Sequence, residues 1–506
     1  MLAKDVGFVI SGLDGVPVDV EVDVNAGLYS FDIVGLPDAA VKESKERVRS
    51  AVKNSGRKFP NHKITVNLAP AELKKEGAML DLPIAVAVVK STGELGAADI
   101  GRAVMLGELS LDGSIRAVNG ILPILISAKQ RGYKEVIIPY ANAKEGGFIE
   151  GITIKTAKTL AEVCDYLQGT GDLPTVEALT YDEVKNESDY KSDLKFVKGQ
   201  YVAKRALEVA VSGNHNIILV GPPGAGKTML AKCVPSIMPE MSFDEALETT
   251  KIHSVAGKLS QNEGIISKRP FLTPHHTASN VSLVGGGSSA KPGLISLAHN
   301  GVLFLDEMPE YTRSMLESLR QPLEDRVITV SRARANVSYP ASFMLVGSMN
   351  PCPCGYYGDK NGKCTCTQTQ ILKYKSKISG PLLDRVDIRV TVDAVKFDEL
   401  NSVAEEEPSE AVRKRVNEAR RIQRERFKND GISTNSEMSE REIKKYCALT
   451  PECNEILKRS FEYLHLSARA RSRIIKVART IADLDGSADI RPQHVTEAIS
   501  YRSDDN

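Results

Sequence analysis

Residues 216–232 read NIILVGPPGAGKTMLAK, which is an apolar run, a glycine-rich turn and a helical continuation. The turn satisfies the pattern G-x-x-x-x-G-K-[ST] with both flanks that the pattern requires, a strand before it and a helix after it. A chance glycine-rich turn would need neither flank. The segment therefore predicts a phosphate-binding loop between a buried strand and a helix, as in a parallel α/β fold.

The loop residues have distinct expected roles. From Gly224 onward, backbone N–H groups can point at phosphate oxygens, since glycine avoids a Cβ clash, and the helix amino terminus adds partial positive charge. Lys227 is expected to reach the β- and γ-phosphates, and Thr228 to place its hydroxyl on Mg²⁺. The predicted ATP-binding loop consists of Gly221, Pro222, Pro223, Gly224, Ala225, Gly226, Lys227 and Thr228.

A second apolar run, GVLFLDE at 301–307, ends in two carboxylates. Asp306 is expected to hold Mg²⁺ through water, and Glu307 to orient or deprotonate the attacking water. Taken alone, this pattern also describes a solvated strand end. Its position downstream of a phosphate-binding loop favours the catalytic interpretation, with Asp306 as part of the nucleotide site.

Two more residues are candidates for contact with the γ-phosphate. Asn350 ends the strand-like run FMLVGSMN at 343–350 and could hydrogen-bond the water or the phosphate. Since Pro351 follows, it could also simply form a turn. Arg385 lies between two carboxylates in PLLDRVD at 381–387, where it forms either a local ion pair or an arginine finger for a neighbouring subunit.

The 506-residue chain is too long for one core, so it is expected to be an α/β protein of several domains. Alternating apolar residues at 18–24 and 63–68, mixed with helical stretches, predict an α+β block at the amino terminus. A Gly-, Pro-, Ser- and acid-rich stretch then predicts a linker. The predicted domains are residues 1–168 (α+β), 169–193 (linker), 194–395 (parallel-sheet ATPase core with a cysteine-rich insertion at 352–366) and 396–506 (helical lid).

The chain carries a net charge of +1, so a nucleic-acid site would have to be a local basic surface. No apolar run reaches the roughly 18–20 residues of a membrane span, and the amino terminus does not resemble a secretory signal. We therefore expect a cytoplasmic protein that does not enter the membrane, with cysteines that serve as thiols or metal ligands.

The region from Leu194 onward resembles the magnesium-chelatase-like branch of the AAA+ ATPases. The segments that carry the resemblance are KGQ at 198–200, GPPGAGKT at 221–228, FLTPHHT at 271–277, GLISLAHNG at 293–301 and GPLLDR at 380–385. The resemblance implies a ring of identical subunits, usually a hexamer, in which Arg385 acts in trans. It also implies a sensor-2 arginine in the lid, best matched by Arg469, with Arg471 and Arg473 as alternatives.

Residues 63–160 resemble the proteolytic domain of the Lon proteases, which has the fold of ribosomal protein S5 domain 2. Met79 stands at the position of the family's serine nucleophile, and its lysine position falls at about Leu122. A Ser–Lys dyad needs a hydroxyl and an amine. We therefore expect a Lon-like fold without peptidase activity, used as an oligomerisation or substrate platform.

Half of the eight cysteines fall in two C-x-C pairs joined by a glycine-containing connection. Four thiolates can close tetrahedrally on Zn²⁺, although C-x-C is tighter than the common C-x-x-C, and four reduced surface thiols or labile disulfides remain alternatives. The candidate zinc ligands are Cys352, Cys354, Cys364 and Cys366.

Taken over nearly its whole length, the chain resembles the ComM/YifB family, whose natural-transformation members are ring helicases that promote DNA branch migration. Local support for a DNA partner comes from His275, His276, Lys291 and the glycines at 285–287, which suit backbone phosphate contact but also describe surface loops. Two alternatives remain. One is a magnesium-chelatase ATPase subunit, and the other is a protein-remodelling ATPase with a non-catalytic adaptor domain.

Overall fold

The structure is a computed structural model. It describes residues 2–95, 103–184, 190, 192–260, 263–287, 290–331, 336–358, 363–394, 406–464 and 467–502. The expected boundary between the ATPase core and the lid, at residues 395 and 396, lies outside these described residues.

The amino-terminal block is built on one mixed sheet of seven strands in the order β3-β4-β2-β1-β5-β8-β9. The central strands β1, β2 and β4 pair antiparallel, and the outer pairs are parallel. The strands of the block are β1 (Leu2–Ser11), β2 (Asp14–Asn25), β3 (Ser30–Val34), β4 (Lys63–Ala69), β5 (Val104–Met105), β6 (Glu108–Leu109), β7 (Ile115–Arg116), β8 (Glu135–Pro139) and β9 (Thr153–Ala157). Its helices are α1 (Ala39–Asn54), α2 (Asp81–Ser91), α3 (Ile121–Gln130), α4 (Ala143–Gly146) and α5 (Leu160–Gln168).

The predicted α+β character of this block is confirmed, because the alternating residues line one core. Val18, Val20 and Val22 are fully buried along β2, as the period-2 pattern requires. Helix α2 is different, since every residue but Lys90 is buried. The buried carboxylate of Asp81 at its start is paired with Arg47 at 2.6 Å, which offsets the cost of burying that charge.

The second block contains a five-stranded sheet in the order β11-β14-β17-β10-β18, and all of its pairs are parallel. This confirms the predicted parallel-sheet core. The strands of the block are β10 (Ile217–Val220), β11 (Phe271–Leu272), β12 (Gly285–Gly286), β13 (Lys291–Pro292), β14 (Val302–Leu305), β15 (Val327–Ser331), β16 (Asn336–Pro340), β17 (Met344–Met349) and β18 (Ile388–Thr391). The helices before and within it are α6 (Tyr181–Val184), α7 (Tyr201–Gly213), α8 (Lys227–Ile237), α9 (Phe243–Ala256), α10 (Asn280–Val284), α11 (Leu294–Leu297), α12 (Arg313–Ser318), α13 (Arg320–Asp325), α14 (Gln368–Lys375) and α15 (Gly380–Leu383).

The carboxy-terminal region is helical, as expected for a lid. Its helices are α16 (Ser409–Arg426), α17 (Glu440–Tyr446), α18 (Pro451–Tyr463), α19 (Ala468–Leu484) and α20 (Pro492–Ser500). Ser439 and Glu442 form a capping box at the start of α17, and an apolar stripe on α19, from Ile474 to Ile481, is buried. Helices α16 and α19 pack on α7 and share its hydrophobic core. Short 3-10 turns occupy Tyr140–Asn142, Leu194–Phe196, Met308–Glu310 and Asn435–Glu437.

The stretch predicted as a linker contacts both blocks. Thr175 forms a β-bridge with Lys155 of β9, and the Val176 N–H donates to the Ile154 carbonyl at 2.8 Å. Further along, the Tyr181 hydroxyl donates to the carbonyl of Met241 at 3.1 Å. The segment thus continues the edge of the first sheet and then reaches the second block. Among the described residues, no helix combines the length and apolar character needed to cross a membrane.

Candidate functional site

The phosphate-binding loop joins β10 to α8 at the carboxyl end of the parallel sheet. Helix α8 begins at Lys227, and the glycine before it, Gly226, adopts a φ of 88°. Gly224 also lies in the left-handed region, at 77°, which residues with a Cβ rarely adopt. At Gly221 a Cβ would collide with the carbonyl oxygen of Val392. The loop therefore needs these glycines for its shape, and it presents the amino terminus of α8 to a ligand.

Lys227 and Asn350 are brought together at this loop. The Lys227 amine donates to the Gly221 carbonyl at 2.6 Å, to the Pro222 carbonyl at 2.8 Å and to Asn350 Oδ1 at 3.0 Å. Burial lowers the pKa of Lys227, while the nearby carboxylates of Asp306 and Glu307 oppose that shift. The amine and the amide that are expected to contact the γ-phosphate thus lie together.

The carboxylates at the end of β14 complete this half of the site. Thr228 Oγ1 donates to Asp306 Oδ2 at 3.0 Å, so the hydroxyl and the carboxylate expected to hold Mg²⁺ are adjacent. Glu307 adopts a left-handed φ of 50°, which is uncommon for a residue with a side chain and is found at functional sites. It lines a cavity together with Asn350.

Ser348 belongs to the site, although the sequence analysis did not single it out. Its hydroxyl donates to Asp306 Oδ1 at 2.5 Å and accepts from the Glu307 N–H at 3.0 Å. The contact arises because β14 and β17 are parallel neighbours, with Leu305 opposite Gly347. A signal was present in the sequence, since Ser348 is the one hydroxyl within an otherwise apolar run that ends at Asn350.

Arg385 lies at the opposite end of the sheet. Asn216 directly precedes β10, and its side chain donates to the Arg385 carbonyl at 3.1 Å. The phosphate-binding loop, in contrast, follows the other end of β10. The four residues of β10 separate the two ends by roughly 13 Å, at about 3.3 Å per residue. The Arg385 guanidinium pairs with Glu324 and donates to the Pro381 carbonyl at 2.8 Å. The structure therefore does not bring Arg385 to the phosphate-binding loop of its own chain.

Arg469, the best match to a sensor-2 arginine, lies with Arg385 and not at the phosphate-binding loop of its own chain. The two arginines and Arg473 line one cavity. A hydrogen bond from Arg385 lowers the pKa of Glu324, and the charges of Arg469 and Arg473 add to this effect. The physical reason is that α19 packs on α7, so that its first turn lines a cavity with Asn216, Phe343 and Asp387, which precede strands β10, β17 and β18.

Of the two alternatives to Arg469, Arg473 has a structural partner. It donates to Asp387 Oδ1 at 2.8 Å. Burial would raise the pKa of Asp387, but Arg473 and His215 hold it well below its usual range. Arg471 is exposed.

The four clustered cysteines also lie beside the phosphate-binding loop. Their sulfur atoms are all within 4.8 Å of one another, an arrangement compatible with a bound zinc ion. A Cβ on Gly355, within this cluster, would collide with the ring of Pro223. The other four cysteines are buried in the cores of the domains, and they are Cys164, Cys233, Cys447 and Cys453.

In the amino-terminal block, the positions that correspond to the Lon dyad carry packing residues. Met79 packs against two hydrophobic clusters, and Leu122 is 1% exposed on α3. The nearby Lys75 is buried and donates to the carbonyl of Pro70.

Lys291 and the glycines considered for DNA contact lie in a hairpin, whereas a further basic stretch lies on helix α16. Strands β12 and β13 form a hairpin that exposes Lys291, and a second hairpin, β15 with β16, joins it through a 2.7 Å hydrogen bond from Tyr339 to Ala290. By contrast, four of the basic side chains on α16 form ion pairs within the chain. The pairs are Lys414 with Glu410, Arg415 with Glu208 and Glu407, Arg421 with Glu418 and Glu425, and Arg426 with Asp483.

Comparison with known proteins agrees with this arrangement. A family model described as "Magnesium chelatase, subunit ChlI" matches residues 193–400. Models described as "Subunit ChlI of Mg-chelatase" and "Magnesium chelatase, subunit ChlI C-terminal" match residues 20–142 and 406–502. Over 497 residues the chain is 41% identical to the competence protein ComM of Haemophilus influenzae, covering 97% of this chain and 96% of that protein. The chain belongs to the ComM/YifB family.

Other relatives support this membership. The YifB protein of Escherichia coli is 42% identical over 495 residues, covering 98% of this chain and 96% of YifB. Lon protease 2 of Bacillus subtilis is 30% identical over 148 residues, which is 29% of this chain and 26% of the protease. The ComM/YifB chain therefore combines a Lon-like amino-terminal block with a magnesium-chelatase-like AAA+ ATPase.

Proposed function

We propose that this protein is a hexameric, ATP-driven ring motor that translocates on DNA in the cytoplasm and promotes branch migration during recombination or natural transformation. The observation that carries the ring is the division of the site between the two ends of one sheet. Lys227, Asp306 and Glu307 lie at the carboxyl end, and Arg385 and Arg469 lie at the amino end. One chain therefore contributes its phosphate-binding loop to one site and its two arginines to another. Neighbouring copies supply the arginines for the first site and the loop for the second.

In this proposal, each half-site has a defined chemical task. Lys227 and Asn350 bind the γ-phosphate, and Thr228 and Asp306 hold Mg²⁺, which would neutralise phosphate charge when bound. Glu307 orients the attacking water as a general base. A neighbour's Arg385 then stabilises the charge that develops on the transferred phosphoryl group.

The proposal that the motor translocates on DNA has separate support. The relative from Haemophilus influenzae is named a competence protein, and competence is the capacity to take up DNA. The two joined hairpins expose Lys291 and Gly287, which suit contact with phosphates without base readout. A net charge of +1 places any such contact on a local surface such as the ring lumen.

A branch-migration assay on a synthetic four-way junction tests this function. We expect the wild-type protein to drive branch migration of the junction with ATP and Mg²⁺. Both Lys227→Ala and Glu307→Gln should lose this activity. Glu307→Gln should still bind ATP, since its loop is intact, whereas Lys227→Ala should bind it poorly. DNA should stimulate ATP hydrolysis in a salt-sensitive manner.

ATP hydrolysis that forked or four-way DNA leaves unchanged at low salt would contradict the DNA motor. A second candidate is favoured by the three matching family models, all named for a magnesium-chelatase subunit. Stimulation by a porphyrin together with partner subunits would support that function. Stimulation by a protein substrate alone would support a protein-remodelling ATPase that uses the Lon-like block as an adaptor.

A further inference from the structure

The four clustered cysteines have the geometry of a metal site. Cys352 Sγ lies 3.3 Å from Cys354 Sγ and 3.8 Å from Cys364 Sγ, and the latter two sulfurs are 3.7 Å apart. A tetrahedral Zn²⁺ with Zn–S bonds of about 2.3 Å sets its sulfur ligands about 3.8 Å apart. Cys366 completes the set of four within the same 4.8 Å limit. The spacing is therefore close to that of a filled four-thiolate site.

Backbone amides surround these sulfurs as they do around thiolate ligands. The Tyr357 N–H donates to Cys352 Sγ at 3.3 Å. The sulfur of Cys354 accepts from the N–H groups of Tyr356 and Thr365. The sulfurs of Cys364 and Cys366 accept from the N–H groups of Cys366 and Cys354. Such donors orient and stabilise the ligands of a metal from outside its coordination shell.

The cysteine cluster is close in sequence to the nucleotide site. Asn350 directly follows β17 and stands two residues before Cys352, which is fully buried. The same Asn350 accepts a hydrogen bond from Lys227 at 3.0 Å, and its N–H donates to the hydroxyl of Tyr374 on α14. The turn at Cys352–Gly355, called the cysteine turn below, follows β17 directly. The position of the Asn350 side chain therefore depends on where this turn holds the end of β17.

A second contact reaches the phosphate-binding loop directly. Gly355 adopts a φ of 86°, and its N–H closes a turn on the Cys352 carbonyl at 2.9 Å. This turn lies against the ring of Pro223, where a Cβ on Gly355 would collide with it. The cysteine turn thus braces the loop from one side while Asn350 contacts it from another.

We propose that Cys352, Cys354, Cys364 and Cys366 bind one Zn²⁺ ion, and that this metal positions Asn350 and braces Pro223 for ATP hydrolysis. The inference rests on the proposed ATPase function of the loop but not on DNA as the track. The cysteines are positioning residues, because they act on the reaction through Asn350 and the loop.

The test measures zinc content, ATP affinity and ATP hydrolysis without DNA on the full-length protein. We expect one zinc per wild-type chain by elemental analysis, and loss of the metal in Cys364→Ser and Cys366→Ser. Loss of the metal should lower kcat by roughly 10- to 100-fold, the range for disturbed support of a metal site, with a smaller change in the ATP dissociation constant. Cys164→Ala, in the amino-terminal core, is the matched control and should keep both zinc and kcat.

A double-mutant cycle separates positioning from general destabilisation. Asn350→Ala should keep its zinc yet show a similar fall in kcat, and combining it with Cys364→Ser should add little further loss. Additive losses would overturn the proposed route through Asn350. A wild-type protein without zinc, or zinc-free variants with normal kcat, would overturn the proposal as a whole.

Cobalt provides a measurement that needs neither a cysteine variant nor hydrolysis. Co²⁺ exchanged into the wild-type protein should show the absorption bands of tetrahedral thiolate coordination, and these bands should shift when ATP or ADP is added. Unchanged bands at saturating nucleotide would contradict the coupling, even if the protein hydrolysed no ATP. Failure of the motor function and failure of this inference are therefore distinguishable.

Discussion

At the scale of single residues, Ser348 shows how the site depends on a contact between strands. Its hydroxyl donates to Asp306 and accepts from the Glu307 N–H, so one side chain holds both carboxylate-bearing residues in place. The left-handed backbone of Glu307 is one that residues with a Cβ rarely adopt, and this hydrogen bond helps to maintain it.

Ser348→Ala is therefore expected to lower kcat for ATP hydrolysis by roughly 10- to 100-fold. The loss corresponds to one hydrogen bond to a charged group, about 1.5–3 kcal/mol. ATP binding should change little, because Lys227 and the loop are intact. Steady-state kinetics checks the first expectation, and a fluorescent ATP analogue checks the second. Ser212→Ala, a buried serine on α7, is the control, and equal kinetics for the two variants would contradict this role.

At the scale of elements, Asp387 joins the start of β18 to the lid. It accepts from the Asn216 N–H at 3.1 Å and from Arg473 of α19 at 2.8 Å, and His215 lies beside it. One buried carboxylate thus ties two neighbouring strands of the sheet to the helix that carries Arg469. The orientation of the lid on the sheet depends on this ion pair.

Asp387→Asn is expected to destabilise the protein by about 3 kcal/mol, the lower end for removing one partner of a buried pair, because Arg473 keeps some solvent contact. The folded-state pKa of Asp387 is depressed, so its stabilisation is fully present above the ordinary pKa of 3.8 and is lost as pH falls toward the folded value. Urea unfolding at several pH values checks both points. A difference between wild type and variant that did not shrink below pH 3.8 would contradict this assignment.

At the scale of the whole molecule, the two ends of the parallel sheet carry the two halves of the proposed site. The amino-terminal block packs on the ATPase block through α3 and α9, and Ser254 donates to the buried Glu145 at 2.8 Å. Arg385 and Arg469 lie at the amino ends of the strands, and the phosphate-binding loop lies at their carboxyl ends. In the proposed ring, one subunit's arginines would lie against the next subunit's loop.

Mixing two inactive variants tests this arrangement. Lys227→Ala keeps its arginines but cannot bind ATP productively, and Arg385→Ala keeps its loop but lacks the finger. Each alone should hydrolyse ATP at least tenfold more slowly than wild type. Mixed rings should recover activity, because some interfaces join an intact loop to an intact Arg385.

The control for the mixing experiment is the double variant Lys227→Ala/Arg385→Ala, mixed with Arg385→Ala. No interface in that mixture is complete, so no activity should return. Equal activity in the two mixtures would show that Arg385 does not act across the subunit interface.

Much of the fold follows from local patterns in the sequence. The apolar runs predicted the strands at 217–220 and 302–305. The glycine-rich turn and helix after the first run predicted the parallel arrangement. The strand-like run at 343–350 was predictable as well, and it corresponds to β17 (Met344–Met349). Its register was not, because the register depends on pairing with β10, where Val220 faces Met349.

The sequence by itself determined the phosphate-binding loop, the paired carboxylates at 306 and 307 and the close spacing of the four cysteines. These features depend on a few neighbouring residues and on backbone conformations that glycine permits. Only the tertiary structure decided that Ser348 bridges Asp306 and Glu307, that the cysteine turn rests on Pro223, and that Arg469 lies with Arg385. Those contacts join residues that are far apart in the chain, and strand register and helix packing, which no local pattern encodes, bring them together.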